Sequence, residues 1–260
     1  MKTGNLAHIL TFAQFTMREA VKNRIVWIAA TIAVAGLGLG SFLTEVAVTE
    51  GEQIQLTLLA ATYRFSAVFI MMIFVISTIV REFNDKCMDI YLSLPITRLS
   101  FFFGKSCGFF ACALFMAAMF GAFLMLFGEF ANVVVWSLSL WMELMVVSLI
   151  SFFCVLTFNQ QIPPALSVTF FIYLLCRSLD SIELISESFV LPTSIGNLLF
   201  EYLIDGLVLV LPNLARFTRA EWLVIELPAP AEIGLVALQA AVYCGLIGAL
   251  AMIDFRRKNL

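Results

Sequence analysis

Stretches of twenty residues or more without a charge recur along this chain, among them 25–44, 106–128 and 233–253. About 20 apolar residues in a helix cross the hydrocarbon core of a bilayer. Inside lipid every backbone polar group must find its partner within the chain, which leaves only helices and closed barrels. Runs this long and unalternating select the helix. Composition agrees: 62% of the 260 residues are hydrophobic and 13% charged, against roughly 45–50% and 25% in soluble chains. The mean hydropathy is +1.01. The expected fold class is an all-α polytopic membrane protein.

The span count is six. Residues 65–80 are uncharged and extend into a full span if Arg64 is admitted, and between Phe130 and Cys176 the single charge is Glu143. Asn159-Gln160-Gln161 followed by Pro163-Pro164 divides that stretch, because a proline pair disfavours helix before it. The spans are placed at about 25–45, 56–80, 103–128, 133–158, 162–180 and 232–253, in a single transmembrane domain over 1–260. Residues 177–230 hold only short uncharged pieces, separated by Glu201 and Asp205. They read as short re-entrant or interfacial helices broken at Pro192, Gly206 and Pro212, with a seventh span as the alternative.

Charge asymmetry orients the spans. With the N-terminus inside, the inner segments carry 11 of the 15 basic residues, and 12 of the 18 acidic ones fall outside. The positive-inside rule then puts both termini in the cytoplasm. The first apolar run has the length of an uncleaved span rather than a signal peptide. One histidine, His8, cannot make a histidine-rich metal site, and no cysteine is placed for an outer disulfide. Gly104-Lys105-Ser106 imitates the end of a phosphate loop, but Leu99 stands where the pattern needs glycine. The net charge of −3 leaves no basic footprint for nucleic acid.

Two inner segments look built for surfaces. Leu6, Ile9, Leu10, Ala13, Met17, Ala20 and Val21 recur at helical spacing, so 6–22 reads as an amphipathic interfacial helix with its basic end at the lipid headgroups. The inner loop at 81–98 offers Arg81, Glu82, Asp85, Lys86 and Asp89 with Met88, Tyr91 and Leu92, ending at Pro95. A short helix with exposed apolar residues there either fits a partner's groove or lies on headgroups.

At this point the motifs take on a family likeness. Arg18-Glu19 through Arg24 ahead of the first span is similar to the start signature of ABC-2-type exporter permeases. Arg81-Glu82, then Leu92-Ser93-Leu94-Pro95-Ile96-Thr97-Arg98, then Gly104-Lys105 resembles their "RE…LSLPISR…GK" segment. Leu211-Pro212-Asn213-Leu214 with Arg216-Phe217 resembles the "LPNL.RF" of the NosY-like branch, and Phe255-Arg256-Arg257-Lys258 its closing basic cluster. The likeness spans the chain in order. Ala215 departs from it where the family often has an acid, so no role of that acid is carried over.

The resemblance implies a half-transporter. Two six-span subunits pair, as a homodimer or a heterodimer, above a cytoplasmic ATPase dimer in the bacterial inner membrane. ATP and Mg would be bound by the ATPase, leaving this chain without catalysis or cofactor of its own. The loop containing Arg81, Glu82, Asp85, Lys86, Met88, Asp89, Tyr91, Leu92 and Pro95 would be the coupling helix. Residues 6–22 would be the connecting helix and 177–230 the outer re-entrant segment. The motifs do not name a cargo.

Charges inside the membrane form the second candidate site. Sixteen uncharged residues separate Arg64 from Arg81, Glu143 lies 16 before Asn159, and Arg177 lies 16 after Gln161. At 1.5 Å per residue all three fall about 24 Å above the inner face. Glu143 is expected to meet Arg64, since neither can face lipid cheaply, and Asp180 to be the local partner of Arg177. The layer is either a structural ion pair with an interfacial arginine or the rim of a closed pathway. A membrane anchor that transmits motion without passing cargo, and a proton-coupled secondary transporter using Glu143, are the rival functions.

Overall fold

The computed structural model describes residues 2–46, 51–85, 98–158, 161–188, 206, 210–219, 221–224 and 227–257, with side chains from Ile9 onward except those of 39, 41–46, 98 and 183–188. The long helices are α1 (Lys2–Lys22), α2 (Ile25–Val46), α3 (Gly51–Asn84), α4 (Arg98–Leu124), α5 (Phe130–Thr157) and α6 (Ile162–Ser188). After a 3-10 turn at Leu214–Arg216 come the single turn α7 (Glu221–Val224) and the long α8 (Pro230–Arg257). No strand occurs among the described residues. Five helices are long and apolar enough to cross a membrane, or six if the bent pair α1–α2 counts as one span.

Several helices outrun the spans expected for them. α3 reaches from Gly51 to Asn84 rather than 56–80, and α6 continues past 180 to Ser188. Hydropathy marks only the part of a helix that lipid touches, while packing lets it run on. Pro163 and Pro164 do not form a turn; they occupy the first turn of α6. A proline N–H would be unsatisfied there in any case, so its absence is free. Pro192 and most of the expected re-entrant segment, 189–205, lie outside the described residues.

α5 is the centre of the bundle, packed against α3, α4, α6 and α8. Its buried face runs from Asn132 through Glu143 to Leu156. Trp141 of α5 donates its indole N–H to the Phe110 carbonyl of α4 at 3.1 Å. α8 is peripheral: Leu235, Leu238, Val242, Leu246 and Leu250 are all about half or more exposed. In a bilayer that row faces hydrocarbon at no cost.

Small residues set the close contacts. Gly36 and Gly40 of α2 receive α3, and a Cβ at Gly36 would stand 2.6 Å from a Tyr63 ring carbon. The Tyr63 hydroxyl then donates to the Ala33 carbonyl at 2.7 Å. The small residues of α8 make no such contact: Ala241, Gly245 and Ala249 are exposed, and nothing lies within 4 Å of a Cβ built at Gly245.

α1 packs along α4 by the same device. A Cβ at Gly104 would meet the Phe12 Cβ at 2.7 Å, and one at Gly108 the Thr16 Cβ at 2.6 Å. Phe12 also sits edge-on to Phe101, centroids 5.4 Å apart. The chain breaks at Asn23-Arg24, where Arg24 takes the left-handed region at φ 57°, and α2 leaves at 54° to α1. A non-glycine residue in that region is uncommon, and here it forms the elbow.

Candidate functional site

Two buried polar layers emerge, one at the C-terminal end of α3 and one near its middle. The first gathers Glu19 of α1, Arg81 and Glu82 of α3, and Lys105 of α4. Arg81 forms an ion pair with Glu19, and Lys105 with Glu82; the Lys105 Nζ is also 3.7 Å from the second Glu19 oxygen. Lys105 is fully buried, with Glu82 and Glu19 nearly so. Two acids and two bases balance, and any of the three enclosed members, Glu19, Glu82 and Lys105, would be very costly alone. Phe15 lies beneath the ammonium, 5.6 Å from Nζ to the ring centroid, within cation–π range.

This geometry corrects the expected limits of the coupling loop. Arg81 and Glu82 belong to the last helical turns of α3, and Glu82 forms an ion pair with Lys105. The physical reason is that a buried cation attracts the nearest carboxylate more strongly than solvent does. Asp85 follows in an exposed turn. Lys86, Met88, Asp89, Tyr91, Leu92 and Pro95 lie outside the described residues. Between the last turns of α1 and the end of α3 opens a cleft of about 380 Å³, lined by Arg18, Lys22, Arg81 and Asp85 among others.

The second layer is built around a non-helical strap, residues 211–218. Buried backbone outside an α-helix must have its polar groups answered by other donors and acceptors, and here side chains from four helices do so. Tyr243 and Gln239 of α8 donate to the carbonyls of Leu211 (3.0 Å) and Asn213 (3.4 Å). Arg177 of α6 donates to the carbonyls of Leu214 (2.7 Å) and Phe217 (3.2 Å). Arg64 of α3 donates to the Thr218 carbonyl at 2.6 Å, and the Thr218 amide donates to Ser139 Oγ of α5 at 2.9 Å. Leu214 and Phe217 fill the space below, both fully buried.

Thr218 is the strap's keystone. It holds φ at 42°, a conformation that a β-branched residue adopts only when its surroundings enforce it. Its hydroxyl accepts from Arg64 at 3.0 Å and donates to Glu143 at 2.5 Å. The other Glu143 oxygen accepts from the Tyr173 hydroxyl at 3.1 Å. Glu143 is fully buried.

Arg64, Glu143 and Arg177 therefore converge on one strap, but not as the direct pairs expected. Arg64 and Glu143 form no ion pair; Thr218 stands between them. Asp180 accepts a hydrogen bond from Asn213, while Arg177 is taken up by strap carbonyls. The strap carbonyls of Leu214, Phe217 and Thr218 take up the two guanidinium groups that were expected to pair with carboxylates. Sequence reasoning missed Thr218, Tyr173 and Ser139, which carry no charge or spacing signal. It missed the role of Glu19 and Lys105, although both lie within the motifs quoted above.

Among the described residues no three of His, Cys, Asp and Glu come together as a metal-binding group. No protein-family model and no curated protein sequence matches the chain.

Proposed function

We propose that this chain is the membrane-spanning permease subunit of an ATP-driven exporter, working as a pair of permeases over a cytoplasmic ATPase dimer. One observation carries the reading. The charged residues of three separate motifs, Arg18-Glu19, Arg81-Glu82 and Gly104-Lys105, supply all four members of the first buried layer, and Gly104 seats α1 against α4. Short motifs matched by accident have no reason to be mutually complementary in charge and shape.

In this reading the four-charge cluster makes a rigid corner of α1, α3 and α4. α3 and α4 are the helices that flank residues 86–97, so force applied to that segment by an ATPase reaches the corner and moves three helices together. ATP favours the ATPase arrangement that it binds best, and the attached helices follow that equilibrium. Farther along α3 the strap crosses to α5, and repacking of α3 against α5 would loosen Thr218 from Arg64 and Glu143. Hydrolysis takes place in the partner chain, where ATP and Mg bind. The bacterial inner membrane is the setting this implies.

The test is reconstitution of the chain with the ATPase encoded beside it. Nucleotide-dependent transport is expected, and Met88→Asp with Leu92→Asp should abolish coupling while leaving membrane insertion intact. Transport that persists with a hydrolysis-dead ATPase overturns the reading. That outcome would favour proton-coupled transport through Glu143, whose carboxylate meets two hydroxyls and no cation directly. A complex with ATPase activity but no cargo passage would favour the anchor and mechanotransmitter.

A further inference from the structure

A serine or threonine inside a helix commonly gives its hydroxyl proton to the carbonyl one turn back. Thr16, Ser151 and Thr169 do so here, all of them buried. Thr78 of α3 and Ser106 of α4 are as deeply enclosed, yet their hydroxyls make no hydrogen bond. Thr78 lies one turn from Phe74 and one turn from Glu82, so the three share a face of α3. Phe74 meets Phe109 of α4 edge-on, ring centroids 5.8 Å apart, and Glu82 pairs with Lys105. Ser106 lies one turn before Phe109. Both hydroxyls therefore sit in the α3–α4 seam, between an aromatic contact and the charged corner.

The corner has unanswered atoms of its own. Among the described residues, every buried side-chain polar atom without a hydrogen bond belongs to Glu19, Thr78, Glu82, Lys105 or Ser106. The ion pair of Lys105 Nζ with Glu82 Oε1 accounts for two of these atoms. Glu19 Oε2, Glu82 Oε2 and the two hydroxyls are left, and Lys105 Nζ stands 3.7 Å from the first, beyond a hydrogen bond. Left dry, each would bear the full penalty of desolvation. Glu19 and Glu82 also line the cleft of about 380 Å³, room for several waters at about 30 Å³ each. Carboxylate oxygens repel an anion, and Lys105 and Arg81 beside them repel a cation. Two acceptors and two hydroxyls that both donate and accept suit a neutral ligand with the same double capacity.

We propose that ordered water, continuous with the cleft, occupies this seam and bridges Thr78, Ser106 and the remaining oxygens of Glu19 and Glu82. The inference depends neither on what the chain transports nor on any partner. Buried water of this kind makes about three hydrogen bonds and is costly to remove. It would tie α1 to the α3–α4 seam one turn deeper than the ion pairs reach. Water is thus a structural ligand of the corner, and the two hydroxyls are its anchors.

Two measurements on the purified full-length chain in detergent test this. Thr78→Val keeps the shape and removes the hydroxyl. It should lower the unfolding temperature by about 2–4 °C, the shift that one lost hydrogen bond gives in a chain of this size. A dry hydroxyl predicts the opposite sign, because valine would relieve an unmet donor. The second measurement locates the water. A brief X-ray pulse makes hydroxyl radicals from water and oxidises a buried thiol where water adjoins it. The thiol of Ser106→Cys should be oxidised several-fold faster than Cys176, which is fully buried on α6. Thr78 is unaltered in that variant, so the oxidation decides the matter even if the valine variant does not fold. An unfolding temperature unchanged or raised by Thr78→Val would overturn the site, as would oxidation of the Ser106→Cys thiol no faster than that of Cys176.

Discussion

Arg64 and Glu143 are joined through a single hydroxyl: Thr218 Oγ1 accepts from the guanidinium at 3.0 Å and donates to the carboxylate at 2.5 Å. The two bonds in series hold a guanidinium nitrogen within 5.5 Å of a carboxylate oxygen. The layer's stability thus depends on a neutral residue. Thr218→Ser keeps the hydroxyl and should leave the unfolding temperature nearly unchanged. Thr218→Val strips both charges of that partner at unchanged shape and should cost about 1–3 kcal/mol. Thermal unfolding in detergent separates them, and equal behaviour of the two variants would remove the hydroxyl from the account.

The same arrangement fixes the form of a double-mutant cycle. Glu143→Leu or Arg64→Met alone should destabilise by about 1–3 kcal/mol, for the buried hydrogen bonds each leaves unmade. Together they should cost less than their sum. In a Thr218→Val background that coupling should shrink, whereas a direct ion pair would be untouched by it.

At the other layer, burial separates two cations that sequence treats alike. Lys105 is fully enclosed, but the Arg81 side chain is half exposed. Lys105→Met should therefore be severe, again about 3–5 kcal/mol, with partial rescue by Glu82→Gln. Arg81→Gln should cost about 1 kcal/mol or less, since solvent screens its pairing. Unfolding temperatures of the three variants decide it, and comparable losses at Lys105 and Arg81 would contradict the burial argument.

Two glycine substitutions probe helix contact directly. Gly108→Ala puts a methyl 2.6 Å from the Thr16 Cβ, so α1 must move off α4, while Gly245→Ala enters open space. The first should lose about 1–3 kcal/mol, typical of overpacking. The second should be neutral or slightly stabilising, because alanine is the better helix former. Cysteine crosslinking between α1 and α4 should weaken in Gly108→Ala and be unaffected in Gly245→Ala.

Much of this protein is written in runs of residue type. The uncharged stretches 106–128 and 233–253 became helices long and apolar enough to cross a membrane, and 25–44 became a helix that reaches that measure only together with α1. Spacing alone also put Arg64, Glu143 and Arg177 at one depth, since rise per residue converts sequence separation into height. Glu19, Arg81, Glu82 and Lys105 were visible as charges but not as a cluster. Depth along a helix says nothing about azimuth, and neighbours are chosen by packing. The glycines of α4 brought α1 near enough for Glu19 to reach Arg81 and Lys105. Thr218 was illegible altogether. A threonine becomes a keystone only when a strap crosses between α3 and α5, and its significance comes from the guanidinium, carboxylate and hydroxyl that those helices bring to it.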